Sequence, residues 1–146
     1  MEKGDYYLNR KSSLGEMTTE GLFAGLVAGM VMLLYLLGSG LLSGGTVSLV
    51  MGRFSIQTPA NPVQGAFLHL AVSATYGLLF GIIYTLLRRR FSSWILALLY
   101  ALAIYLLAHF IVLPASSSRL LDLTPIHFAL AHLVYGMVLG VWFRGK

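Results

Sequence analysis

The sequence predicts an all-α, polytopic membrane protein with four transmembrane helices, and three observations carry that expectation. Four apolar stretches, about 21–42, 62–87, 94–113 and 125–143, each come close to the ~20 residues that a helix needs to cross a bilayer. The chain has 146 residues, 58% of them hydrophobic and only 10% charged, which leaves little room for a soluble domain beside the spans. Basic residues are sorted by position: Lys3, Arg10 and Lys11 precede the first span, Arg88, Arg89 and Arg90 lie between the second and third, and Arg144 and Lys146 close the chain, while Arg53 and Arg119 stand alone in the two opposite loops. By the positive-inside rule this sorting sets both termini on the cytoplasmic side. It also means that the net charge of +5 is set by topology and is no nucleic-acid patch.

The chain divides into a cytoplasmic arm, residues 1–20, and a four-helix transmembrane domain, residues 21–146. Thr18 or Thr19 is placed to cap the first helix, with Glu20 at its positive end. The first span has no convincing small-residue cleavage site after it and reads as a retained signal-anchor. In the first outer loop, 43–61, Gly44-Gly45 breaks the helix, and Val47–Met51 is too short to span and too apolar to be freely solvated; it is expected on the membrane surface or over the helix ends. The second outer loop, 114–124, holds the serine run Ser116–Ser118 with Arg119 and Asp122, whose pairing would be exposed and worth ~0–1 kcal/mol.

Each half of the chain is an ascending helix, an outer loop and a descending helix, a possible 2+2 repeat of parallel type. The descending helices open alike, with Asn61-Pro62 and Thr124-Pro125, a capping residue and a proline suited to the first helical position. Seven residues after each proline comes a histidine, His69 and His132, so both lie ~10 Å below the helix start. Both helices then carry Tyr-Gly-x-x-x-Gly, at Tyr76-Gly77…Gly81 and Tyr135-Gly136…Gly140.

Residues four apart share a helix face, which groups Gly21, Gly25 and Gly29 on the first span, His69, Ser73, Gly77, Gly81 and Thr85 on the second, and His132, Gly136 and Gly140 on the fourth. The third has the weaker row Ala97, Ala101, Tyr105. Such small-residue stripes let helix backbones approach closely in lipid, either within the bundle or against a flat ligand or a partner's helix.

No Asp, Glu, Lys or Arg lies deep in any span, which disfavours ion-coupled transport and removes an intramembrane acid/base pair or Ser-His-Asp triad. The absence of cysteine excludes disulfides and thiolate sites. Histidine is what remains. His109 and His127 fall near the outer interface; His69 and His132 are deeper, and the leading reading of the pair is structural, each imidazole hydrogen-bonded across helices. The alternative is axial ligation of haem b or a related macrocycle, one imidazole from each side. A bare metal ion ranks behind both.

The last helix reads Ala131-His132-Leu133-Val134-Tyr135-Gly136 with Gly140 following. With the Leu113-Pro114 exit from the third span and the glycine-rich opening 21–32, it resembles an uncharacterised family of small four-helix prokaryotic integral membrane proteins. The resemblance covers most of 21–143 and implies a multi-pass protein of the cytoplasmic membrane with no agreed activity. A His-x-x-Tyr/Phe-Gly pattern tends to recur in that family's second helix; here Ser73 holds the position and the histidine is one turn earlier, at His69.

Three functional expectations follow. The first is a non-enzymatic accessory or assembly subunit, packing through its glycine faces against a larger membrane complex or itself. The second is an electron-transfer protein holding haem between His69 and His132. The third is a small oligomeric channel or carrier for a neutral or lipid-like ligand.

Overall fold

The computed structural model describes residues 13–116 and 119–146. Most of the expected arm, residues 1–12, and Ser117 and Ser118 of the serine run lie outside the described residues. Six α-helical segments follow in order: α1 (Leu14–Leu42), α2 (Val47–Gly52), α3 (Pro62–Leu87), α4 (Ser93–Leu107), α5 (Leu113–Ser116) and α6 (Pro125–Trp142). A π-helical stretch, Ala108–Val112, joins α4 to α5 without a break, and a 3₁₀ turn, Arg119–Asp122, precedes α6. Four of the resulting helices are long and apolar enough to cross a membrane: Leu14–Leu42, Pro62–Leu87, Ser93–Ala115 and Pro125–Trp142. The protein is therefore an all-α membrane protein.

The first helix begins seven residues before the expected Gly21. Ser13 caps it, accepting a hydrogen bond from Glu16 N, while Glu16 accepts one from Ser13 N. This reciprocal box satisfies donors that a cap at Thr18 or Thr19 would have served. Those threonines sit inside the helix instead, donating to Leu14 O and Gly15 O. At the α3 start Asn61 Oδ1 accepts from both Val63 N and Gln64 N; Thr124, in the corresponding position before α6, makes no side-chain cap.

The long helices form a ring in the order α3, α1, α6, α4, in which α1–α3, α1–α6 and α4–α6 pack along their lengths while α3 and α4 touch little. Both described chain ends share one end of the bundle with the α3–α4 turn; the two longer loops, of which 43–61 and 119–124 are described, share the other, called here the loop end.

Close approach explains the tightest seam. A Cβ built on Gly25 would fall 2.6 Å from Gly77 Cα, one on Gly77 2.6 Å from Gly25 N, one on Gly21 3.0 Å from Gly81 Cα, and one on Gly29 2.5 Å from Ser73 Oγ. Gly81 faces the Met17 backbone. Between α4 and α6 a Cβ on Gly136 would meet Ala101 Cβ at 2.6 Å, and one on Gly140 the Trp94 ring at 2.8 Å. The small-residue stripes thus meet one another, or an alanine or a ring, inside the chain.

Polar side chains then tie the helices together through backbone carbonyls, each of which has a second lone pair to offer. Tyr135 donates from α6 to Ser73 O (2.7 Å), Tyr100 from α4 to Tyr76 O (2.7 Å) and Ser93 to Gly140 O (3.3 Å). At the terminal end Tyr84 donates to Phe143 O and Lys146 O, and Glu20 takes both Trp142 Nε1 and the Lys146 ammonium. In hydrocarbon, where water cannot substitute, such pairing is what makes a buried hydroxyl tolerable.

The segment Val47–Met51 is helical as part of α2 and packs over α3 and α1 rather than leaving the bundle. Gly40 and Gly65 permit this: Cβ atoms there would run into Val50 and the Met51 backbone.

Candidate functional site

At the loop end, where α3 and α4 part, lies a cavity of about 540 Å³. Its floor includes Tyr76, Ile104 and Tyr135, its sides come from α3 and from the π stretch and α5 through Ala108, Val112 and Leu113, and both His69 and His132 line it. Its roof is loop 53–61 and Arg119-Leu120. The π stretch is one extra residue's worth of widening in the third span. It also carries His109 on a stack with Tyr105 (ring centroids 5.5 Å apart) that continues through Phe128 to His132.

The roof is built rather than draped. Buried Ser55 donates to Gln64 Oε1 (2.7 Å) and accepts from Gln57 N and Asn61 N. Arg119 reaches from the other loop, donating to Gln57 O (3.2 Å) and Thr58 Oγ1 (3.3 Å). Arg119 therefore latches the two loops and does not turn to Asp122, the acid three positions away with which the sequence suggests an exposed pair.

Both deep histidines are buried, 7% and 8% exposed, and both line the cavity. His69 Nε2 lies 3.0 Å from Gly29 O on α1, and His132 Nδ1 lies 2.8 Å from Phe128 O on its own helix. A carbonyl only accepts, so these nitrogens carry the protons; in the neutral rings His69 Nδ1 and His132 Nε2 hold the lone pairs. Phe54 packs on His69 (4.6 Å), and Phe128 and Tyr105 meet His132 edge-on. Both imidazole N–H groups and the Tyr135 hydroxyl are spent on carbonyls. What the cavity keeps to offer a guest is apolar surface, two imidazole lone pairs, the Tyr76 hydroxyl, and guanidinium N–H groups at its mouth.

Of the residues singled out in the sequence, His69, His132 and Ser73 line this cavity. Gly21, Gly25, Gly29, Gly77, Gly81, Gly136 and Gly140 lie on the helix seams. His127 is elsewhere, with Nδ1 2.9 Å from Tyr35 Oη in a shallow cleft between α1 and α6. Among the described residues no three His, Asp or Glu converge to hold a metal ion. No motif in the sequence marks Arg53, Phe54 or Arg119 as a site residue; the one signal it carries is that Arg53 and Arg119 are the two cations the charge sorting leaves in the loops.

The pattern of a family of unknown function, DUF6789, matches residues 16–145. The chain belongs to that family. No curated protein and no solved structure matches it. As a DUF6789 chain it shares a family without an assigned activity, so its function is read from the cavity.

Proposed function

We propose that this is a non-enzymatic membrane protein that holds a lipid-like molecule in the cavity between α3 and α4. One observation carries the reading. The helices pack closely along three seams and touch little along the fourth, where Tyr100 donates across to Tyr76 O, and the cavity at that margin is lined by exposed Val72 and Val112 as well as by a polar roof, so we take that side to face the bilayer. At about 540 Å³ it is within the size range of small-molecule sites. Its mostly apolar lining with a few placed polar groups suits an amphiphile. This is the carrier expectation, relocated from an oligomeric pore to a site within one chain. The accessory-subunit expectation drew on the lack of a catalytic constellation and on the glycine stripes, and the stripes are occupied by contacts within the chain.

The test compares two substitutions on the third span. Ala108→Phe would fill the cavity, whereas Ala103→Phe adds the same ring to an exposed position. Native mass spectrometry of detergent-purified protein is expected to find a retained lipid in the wild type and in Ala103→Phe and to find it lost in Ala108→Phe. Retention in a folded Ala108→Phe protein, or no retained lipid in the wild type, overturns the reading.

A second reading, haem b, is favoured by the convergence of His69 and His132 on one space, each with a free lone pair. It requires ligation through His69 Nδ1, since Nε2 is committed to Gly29. A Soret band lost in both His69→Ala and His132→Ala supports it; a colourless protein purified from haem-replete cells removes it.

Orientation follows from the charge sorting, which places the loop end on the exoplasmic side. Single cysteines at Ile56, exposed in the loop, and at Lys146 are expected to react with an impermeant reagent outside intact cells at the first position alone.

A further inference from the structure

Resting on the lipid-binding reading, we propose that Arg53 and Arg119 form the receptor for an acidic headgroup, a phosphate or carboxylate, at the mouth of the cavity. The two are the cations of the loop segments, and the fold brings them from separate loops to the wall of one cavity. Arg119 is held in place by Gln57 and Thr58, which use two of its five N–H donors and leave the rest available. Arg53, at the end of α2, is half-buried. Among the described residues it has no carboxylate partner and its guanidinium donates no hydrogen bond. A half-buried guanidinium beside apolar walls is costly without a counter-charge.

Among the described residues none supplies that charge. The acid of the roof region, Asp122, is exposed and is not paired with either arginine. An anion brought by the ligand would complete the site, and a guanidinium's planar donors match phosphate and carboxylate oxygens two at a time. The division of labour is then spatial: acidic head under the roof loops, apolar body along α3 and α4 toward the bilayer, and the imidazole lone pairs below as acceptors for any hydroxyl the body carries.

The experiment uses the full chain in neutral detergent with phosphatidylglycerol or phosphatidylcholine of the same acyl chains, titrated by native mass spectrometry. The wild type is expected to prefer phosphatidylglycerol by about tenfold, the size of one charge-assisted contact. Arg53→Gln is expected to bind both lipids equally, Arg53→Lys to keep part of the preference, and Arg89→Gln, on the exposed turn at the other end, to keep all of it. Inorganic phosphate added alone separates the sources: protection of the wild type, but not of Arg53→Gln, against thermal unfolding would assign the site to a free anion of the same chemistry. Equal binding of the two lipids by the wild type, with no response to phosphate, overturns the acidic-headgroup inference and leaves the lipid-binding reading standing. Failure of both lipids to bind overturns both.

Discussion

In the first hairpin, α1 with α3, glycine faces glycine across the seam; in the second, α4 with α6, Gly136 faces Ala101 and Gly140 faces the Trp94 ring. The consequence runs up to the histidines. With backbones touching along α1 and α3, the Gly29 carbonyl comes within 3.0 Å of His69, and the imidazole becomes a tie between helices. Its counterpart in the second hairpin has Tyr105 and Phe128 rings against it and bonds back to its own helix. The third span also departs from regularity just there, through its π stretch. One hairpin is closed by backbone contact and the other is packed by side chains, and the cavity opens along the margin between them.

The largest effect should come from challenging the seams themselves. Gly77→Ala places a methyl group against the Gly25 backbone, which can yield only if the helices separate, and overpacking of this kind costs ~1–3 kcal/mol. Gly136→Ala meets the Ala101 methyl group, so Ala101→Gly in the same chain should restore much of what it loses. No such second change can rescue Gly77→Ala, because Gly25 has no side chain to remove. Thermal unfolding in detergent reads both; rescue of Gly77→Ala by any single substitution on α1, or no rescue of Gly136→Ala, would break the distinction.

Much of this architecture is legible in the sequence. Span length, apolar composition and the Pro62 and Pro125 starts locate four helices, because lipid leaves a backbone no alternative to internal hydrogen bonding. The four-residue spacing of glycines is equally visible, but which helix receives each stripe is a property of the ring order, and nothing local encodes it. The start of α1 is hard to read because Thr18 and Thr19 look like caps at the edge of the apolar run, while the Ser13–Glu16 box lies in the polar segment before it. The cavity is the least legible feature. It depends on α3 and α4 failing to meet, on a π stretch within a uniformly apolar run, and on Arg119 choosing Gln57 and Thr58 over Asp122.

A smaller difference is expected between the two histidines. His69→Leu removes a cross-helix hydrogen bond and the Phe54 contact together, a loss of about 1–2 kcal/mol. It should also quicken hydrogen exchange in loop 53–61, which Phe54 anchors. His132→Leu removes a bond within one helix and should cost less and leave that loop's exchange unchanged. Equal destabilisation by the two would mean that the α1 carbonyl is no special partner.

The repeated tyrosines sharpen the same point at lower amplitude. Tyr135 is 2% exposed and donates to Ser73 O, so Tyr135→Phe should cost about 1 kcal/mol. Tyr76 is half-buried in the cavity wall, and among the described residues its hydroxyl donates no hydrogen bond. Tyr76→Phe should be nearly neutral for stability, and any loss it causes in retained lipid would then report on the ligand. A stability cost for Tyr76→Phe equal to that of Tyr135→Phe would contradict this assignment.

The finest comparison is between the two helix starts. Proline at the first helical position removes one donor from each, so the next two N–H groups are the ones left to satisfy. In α3 a single atom, Asn61 Oδ1, takes both, from Val63 and Gln64. In α6 Thr124 has the extended backbone of a cap, with φ −60° and ψ 134°, but its side chain takes neither. Asn61→Ala should therefore cost about 1 kcal/mol and Thr124→Ala only a few tenths at most. The reverse experiment is more informative: Thr124→Asn offers α6 the longer acceptor that α3 already has, and should raise stability by up to the amount that Asn61→Ala removes. If Thr124→Asn is neutral while Asn61→Ala is costly, the α6 start is satisfied by its surroundings, and the second hairpin's looseness does not extend to its helix ends.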